Sequence, residues 1–166
     1  VPMVYYHVWD NHPAPHFNRN FYISNDKIVT ISKVTDQVVK EVAPEVEREY
    51  LPHAVDPKLF HRLNDEKIME MRKNSMHTED PEKTIFFWNN RNARRKQSGT
   101  LLWWFKEFID KYNLKDKTQL LMHTDPKDKH GQDLEHIINH LGLYDREVML
   151  STSKITTEQL ASMYNM

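Results

Sequence analysis

Thr84-Ile85-Phe86-Phe87-Trp88-Asn89-Asn90-Arg91-Asn92-Ala93-Arg94-Arg95-Lys96-Gln97-Ser98-Gly99 is the stretch on which the reading of this chain turns. An apolar run of strand character stops at a basic, asparagine-rich loop, and the loop opens a long amphipathic helix. The junction of a strand with a helix N-terminus favours an anion. Free N–H groups point outward there, the helix dipole is positive, and Arg and Lys add full charge. The loop lacks the glycines of a Walker or dinucleotide fingerprint, so neither motif applies. The competing reading is a solvated basic loop.

Outward from this stretch, the helix carries Leu101, Trp104, Phe105, Phe108, Ile109 and Tyr112 along one stripe, which helical spacing assigns to the core rather than to a cofactor box. Thr118 to His123 reads as a second strand. After Asp125-Pro126 a helix places Leu134, Ile137, Ile138 and Leu141 on one face, closed by Gly142. Val148-Met149-Leu150 is a third strand, and Thr156 with Gln159 has capping-box spacing for a last helix. Strand and helix alternate three times, which predicts an α/β fold: a Rossmann-like parallel sheet flanked by helices. Ligands of such sheets lie beyond the carboxyl ends of the strands, here the loops 89–97, 123–129 and 151–155.

Upstream, residues 2–8 read as a buried strand, followed by a loop rich in Asn and Pro. Asp26 to Ser32 is a short β-branched strand, and Ser32 is placed to cap a helix with Val34, Val38, Val39 and Val42 on one face. Ala43-Pro44 ends that helix. Glu49 to Pro57 reads as a strand running into a turn, with a one-turn helix near Leu59-Phe60. A charged segment from Asn64 to Glu82 holds a helix over 65–74.

Composition bounds the function. The 166 residues carry 23 Lys+Arg against 24 Asp+Glu, a net charge of −1, which argues against a general nucleic-acid binder and makes any anion site local. There is no cysteine, so disulfides and thiolate metal sites are excluded. No apolar segment approaches the roughly 20 residues that span a bilayer. With no signal-peptide pattern, the cytoplasm is the default location. Only 39% of residues are apolar, and the sequence reads as starting inside a strand and stopping inside a helix. Both features are expected of a piece of a longer protein, one that self-associates as a homo-oligomer through an exposed sheet edge.

Four positions stand out as ligand contacts beyond the strand ends, besides the basic loop. Arg91 and Lys96 suit a diphosphate, Arg through its planar fork and Lys as a point charge. Ser153 and Lys154 follow the third strand, as nucleoside contacts would. His7 and Asp10 follow the first strand of the chain and suit hydrogen bonds to sugar or acceptor hydroxyls. With His12 and His16 they also raise a metal site, although the spacing matches no ligand pattern and a proline-rich loop is a poor frame. A non-catalytic nucleotide- or phosphate-binding α/β module is the alternative from another functional class.

Taken in order, these segments resemble the GT-B fold glycosyltransferases, specifically the retaining glycosyl transferases of group 1. Leu51-Pro52-His53-Ala54-Val55-Asp56-Pro57-Lys58-Leu59-Phe60 resembles that family's interdomain segment, and Phe86 to Arg91 with Arg95-Lys96 resembles its strand ending in Gly-Arg with a following Lys. Asp26 to Ser32 and Leu160-Ala161-Ser162-Met163-Tyr164 resemble two further segments. The family's Gly before the Arg is Asn90 here. The resemblance implies a two-domain architecture, with residues 1–47 from the end of the acceptor-side domain, 48–63 interdomain, and 64–166 the front half of the donor domain. It implies transfer of a sugar from a UDP- or GDP-linked donor to an acceptor, with Arg91 and Lys96 on the donor diphosphate and 153–154 lining the nucleoside pocket. A His facing the donor sugar would be His7, or the register would put Trp9 there with Asp10 beside it. The design requires no cofactor and no divalent metal, because Arg and Lys neutralise the diphosphate. The family's glycine-rich loop would precede Val1 and its acidic pair would follow Met166, so the chain by itself is expected to be inactive.

Overall fold

Two separate runs of strand–helix alternation produce two parallel sheets, one in each of two compact units, Val1–Asp56 and Pro57–Met166. A computed structural model describes residues 1–144 and 146–166.

In the first unit, β1 (Val4–His7), β2 (Lys27–Thr30) and β3 (Glu47–Tyr50) are parallel and adjacent in chain order. Helices α1 (Arg19–Ile23) and α2 (Lys33–Val42) lie in the crossovers. Ser32 caps α2 as the sequence predicts, its hydroxyl accepting from the Thr35 amide at 3.0 Å; such a cap contributes about 1 kcal/mol. Helix α2 buries Val38, Val39 and Val42 against Tyr22 and Ile28. Val34 is exposed and Thr35 takes its place on the inner face, where its hydroxyl donates to the Trp9 carbonyl at 2.9 Å. The strand expected to be buried over residues 2–8 is four residues long and only His7 in it is buried. It lies at the sheet's edge, and the face carrying Val4 and Tyr6 is uncovered. Strand β3 begins two residues earlier than expected and ends at Tyr50, before Pro52.

In the second unit, β4 (Thr84–Asn89), β5 (Thr118–His123) and β6 (Val148–Ser151) are again parallel and adjacent in chain order. Helices α4 (Ser98–Tyr112) and α5 (Leu134–Leu141) pack Leu102, Phe105, Ile109 and Leu134 against Leu120 and Met122 of the central strand. On the opposite face Leu121 lines a cavity with Met76 and Met163, from the segment after α3 (Asp65–Met71) and from α6 (Thr157–Met163). The expected 65–74 helix is thus split: a wider turn, Arg72–Met76, continues from α3. Leu59-Phe60 forms a turn rather than a helix.

The aromatic stripe of α4 needs correction. Phe105 is buried, but Trp104 is 63% exposed and Tyr112 is exposed too. The buried line is Ser98, Leu102, Phe105 and Ile109, a tighter 4-3-4 repeat than the expected stripe. Phe86, Leu101, Trp104 and Phe108 instead wall an apolar groove of about 230 Å³ beside the edge strand β4. Helix α6 opens with the expected capping box of Thr156 and Gln159. It ends at Met163, and the following Asn165 folds back, its amide donating to the His61 carbonyl and accepting from the Leu63 amide, at 3.0 and 2.9 Å. Among the described residues no helix is long and apolar enough to cross a membrane.

Candidate functional site

Because β4, β5 and β6 are parallel and in register, Asn89, His123 and Ser151 finish side by side, and the three following loops open on one edge. One side-chain and one backbone contact tie β5 to β6 at that edge. His123 Nδ1 lies 2.9 Å from Ser151 Oγ, and the Thr124 amide donates to the Ser151 carbonyl at 3.0 Å.

Arg91 leaves β4 at this edge. Its guanidinium donates through Nε to Asp128 Oδ2 at 2.6 Å and through Nη2 to Asp128 Oδ1 at 3.2 Å. The His130 amide donates to the same Oδ1 at 2.9 Å. The two partners differ in exposure: the Arg91 side chain is 63% exposed and that of Asp128 12%. The Arg91 hydrogen bond, seconded by the His130 amide, lowers the Asp128 pKa to about 2.

The loop of Arg91 is fastened to the loop of Asp128 by Asn92, which is fully buried. Its amide donates to the Pro126 and Gln132 carbonyls at 3.3 and 2.7 Å. Its Oδ1 accepts from Ser98 Oγ at 2.6 Å and from the Gln132 amide at 3.3 Å. Gly131 lies directly against it: a Cβ there would sit 2.1 Å from the Asn92 carbonyl oxygen, so only glycine fits.

The start of α4 is less open to an anion than the strand–helix junction implied. The Gly99 amide, one of the helix's unsatisfied donors, already donates to Gln132 Oε1 at 2.8 Å. The cationic side chains around it are uncommitted. Arg94, Arg95 and Lys96 form a short 3-10 turn, and among the described residues none of their side chains has a hydrogen-bond or ion-pair partner. Arg91 and Lys96 therefore lie on one loop at the carboxyl edge of the sheet, the first committed to Asp128 and the second without a partner among the described residues.

Ser153 lines a cavity of about 320 Å³ with Ser75, Met76, Met149, Ser151 and Met163. Lys154 is exposed and does not line it. His7 and Asp10 belong to the first unit. His7 is 4% exposed, with Nε2 2.8 Å from the Tyr22 hydroxyl and Nδ1 buried without a hydrogen-bond partner among the described residues. Burial pushes its pKa down. Asp10 is exposed. Among the described residues no group of three or more His, Cys, Asp or Glu side chains is placed to hold a metal.

Sequence reasoning missed Asn92, Asp128, Gly131 and Gln132. One signal for them was present: the chain has three glycines, and two of them, Gly99 and Gly131, fall at this edge.

No protein-family model matches the chain, and no curated protein matches it by sequence. Its fold does match solved structures. Superposed on the α,α-trehalose 6-phosphate synthase of Burkholderia multivorans, it gives a TM-score of 0.72 at 11% identity, covering 98% of this chain and 44% of that one. A glycosyltransferase from Rickettsia africae gives 0.64 at 15% identity, covering 98% and 42%. Anabaena HepE, solved with UDP and glucose, gives 0.62 at 10% identity, covering 98% and 43%. The chain thus has, over nearly its whole length, the α/β fold of GT-B glycosyltransferases, and spans less than half the length of these neighbours.

Proposed function

We propose that this chain is part of a retaining glycosyltransferase that takes a sugar from a nucleotide-diphosphate donor, and that the carboxyl edge of its second sheet holds the donor diphosphate. The observation that carries the reading is the basic loop 91–96 leaving β4 at that edge, in a chain whose fold matches UDP-forming and UDP-binding enzymes. Lys96 faces the anion as an uncommitted charge, and Arg91 presents the exposed end of its guanidinium. As the glycosidic bond breaks, negative charge grows on the departing diphosphate, and fixed cations there stabilise the transition state more than the ground state. Ser153, at the rim of its cavity, and Lys154 beside it take the nucleoside. His7 and Asp10 take the sugar or acceptor side, for which the His7 ring must be freed from Tyr22.

In the same reading residues 1–47 close the acceptor-side domain, 48–63 connect, and 64–166 begin the donor domain; the division between the two units, after Asp56, falls inside the connecting segment. A cytoplasmic location and self-association through an open sheet edge complete it. Since the chain spans less than half of the neighbouring enzymes, it is expected to bind donor without turning it over.

Calorimetric titration with UDP, GDP and ADP, repeated on Arg91→Ala/Lys96→Ala, tests the reading. The expected result is selective binding of one nucleotide that disappears in the double variant. Binding that persists in the double variant moves the site elsewhere, and binding of none of the three removes the donor site.

A further inference from the structure

We infer that Asp128 is the positioning residue for Arg91, fixing its guanidinium so that only the outer edge of the fork meets an anion. The inference rests on the donor-site reading above and adds a residue to it. An exposed arginine samples many rotamers and must be ordered when it binds, which weakens binding. Arg91 is already ordered: its Nε and one Nη2 hydrogen are tied to the carboxylate, at 2.6 and 3.2 Å. What remains for a ligand is Nη1 and the second hydrogen of Nη2, on the side chain's exposed end.

Asp128 is itself held, as a positioning residue must be. Its Oδ1 accepts from the His130 amide, its carbonyl accepts from the Gly131 amide at 2.8 Å, and its side chain is largely buried. The Asn92 staple, with Gly131 pressed against it, fixes the spacing between the two loops. The arrangement opposes itself in one respect, because the carboxylate cancels charge that would draw in a diphosphate. Orientation prevails over that loss for a physical reason. The repulsion acts over a longer distance across an exposed guanidinium, where water and salt screen it, while the bidentate constraint comes from two short, directional hydrogen bonds. The long-range attraction is left to Arg94, Arg95 and Lys96, which have no partners among the described residues.

The test is calorimetric titration of the chain with UDP and with inorganic pyrophosphate, on the wild type, Asp128→Asn and Asp125→Asn. The last variant removes an equal charge from the same loop without touching Arg91. The Arg91 Nε–Hε resonance is followed by NMR in the ligand-free proteins. The expected result is that Asp128→Asn weakens pyrophosphate binding by about 10-fold, the equivalent of one good charge-assisted contact. The Nε–Hε group should also lose its order, while Asp125→Asn binds as the wild type or slightly more tightly. Asp128→Asn binding that is unchanged or tighter overturns the inference while leaving the donor site standing. So does an Arg91 Nε–Hε group as ordered in that variant as in the wild type. A wild type that binds neither ligand overturns the donor site, and the anion role of Arg91 with it.

Discussion

The two units are built on the same plan, three parallel strands in chain order joined by helical crossovers, yet their central strands are treated differently. In β2 buried and half-buried positions alternate: Ile28 and Thr30 face the α2 side, while Lys27 and Val29 face outward. In β5 all of Thr118 to Met122 are buried. Helices α4 and α5 cover one face of the second sheet, and the segment around Met76 with α6 covers the other. Their strand ends differ as well. His7, ending β1, is sealed against Tyr22, whereas the end of β4 opens onto exposed cations. One topology thus gives a half-covered sheet or a fully buried central strand, according to what packs on its second face.

The sharpest way to break this comparison is to weaken each central strand. Met122→Ala should cost about 3 kcal/mol in urea unfolding, since a fully buried side chain leaves a cavity between covered layers. Val29→Ala, on the open face of β2, should cost less than about 1 kcal/mol by the same measurement. Equal losses would remove the distinction between the sheets. Next in size, Asn92→Ala should destabilise the second unit by about 2 kcal/mol, because it strands the Ser98 hydroxyl and two carbonyls that the amide satisfies. It should also loosen the loop of Arg91, seen as faster amide exchange at residues 91–96.

Acid should separate the units by pH window. His7 has a folded pKa below its ordinary 6.5, so the unfolded chain binds the proton more readily. The stability from keeping it neutral is complete above pH 6.5 and falls as the pH drops below that value. Asp128 has a folded pKa of about 2 against an ordinary 3.8, so its contribution holds above 3.8 and is lost as the pH falls toward 2. Unfolding followed from pH 7.5 to 5 should therefore weaken the first unit, and His7→Phe should flatten that drop. A drop of the same size in the variant would count against His7 as its source. The smallest effect is expected from Trp104→Gln, within about 0.5 kcal/mol, which would distinguish the exposed position from the core position that the helical stripe implies.

What was legible in the sequence follows the range of the interactions. Strand 118–123 is placed to the residue, and the caps at Ser32, Gly142 and Thr156 are all present, because each rests on neighbours within four positions. The open face of β1 was not legible: Val-Tyr-Tyr is the same run whether a layer covers it or not. Of the α4 stripe, Phe105 and Ile109 are core as expected, while Trp104 and Tyr112 are exposed, because Trp103 and Trp104 make every face of that helix look apolar. At the candidate site, the position of Arg91 just beyond a strand end is legible because it follows from the local apolar run. Asp128, Gln132 and the Asn92 staple are not, since their bonds join residues 33 to 40 positions apart and no local period marks them.

The return of Asn165 to His61 and Leu63 joins chain positions more than 100 residues apart through a single side chain. The stretch before α3 and the stretch after α6 are thereby tied to each other, so Asn165→Ala would release both at once and their fraying is one event rather than two.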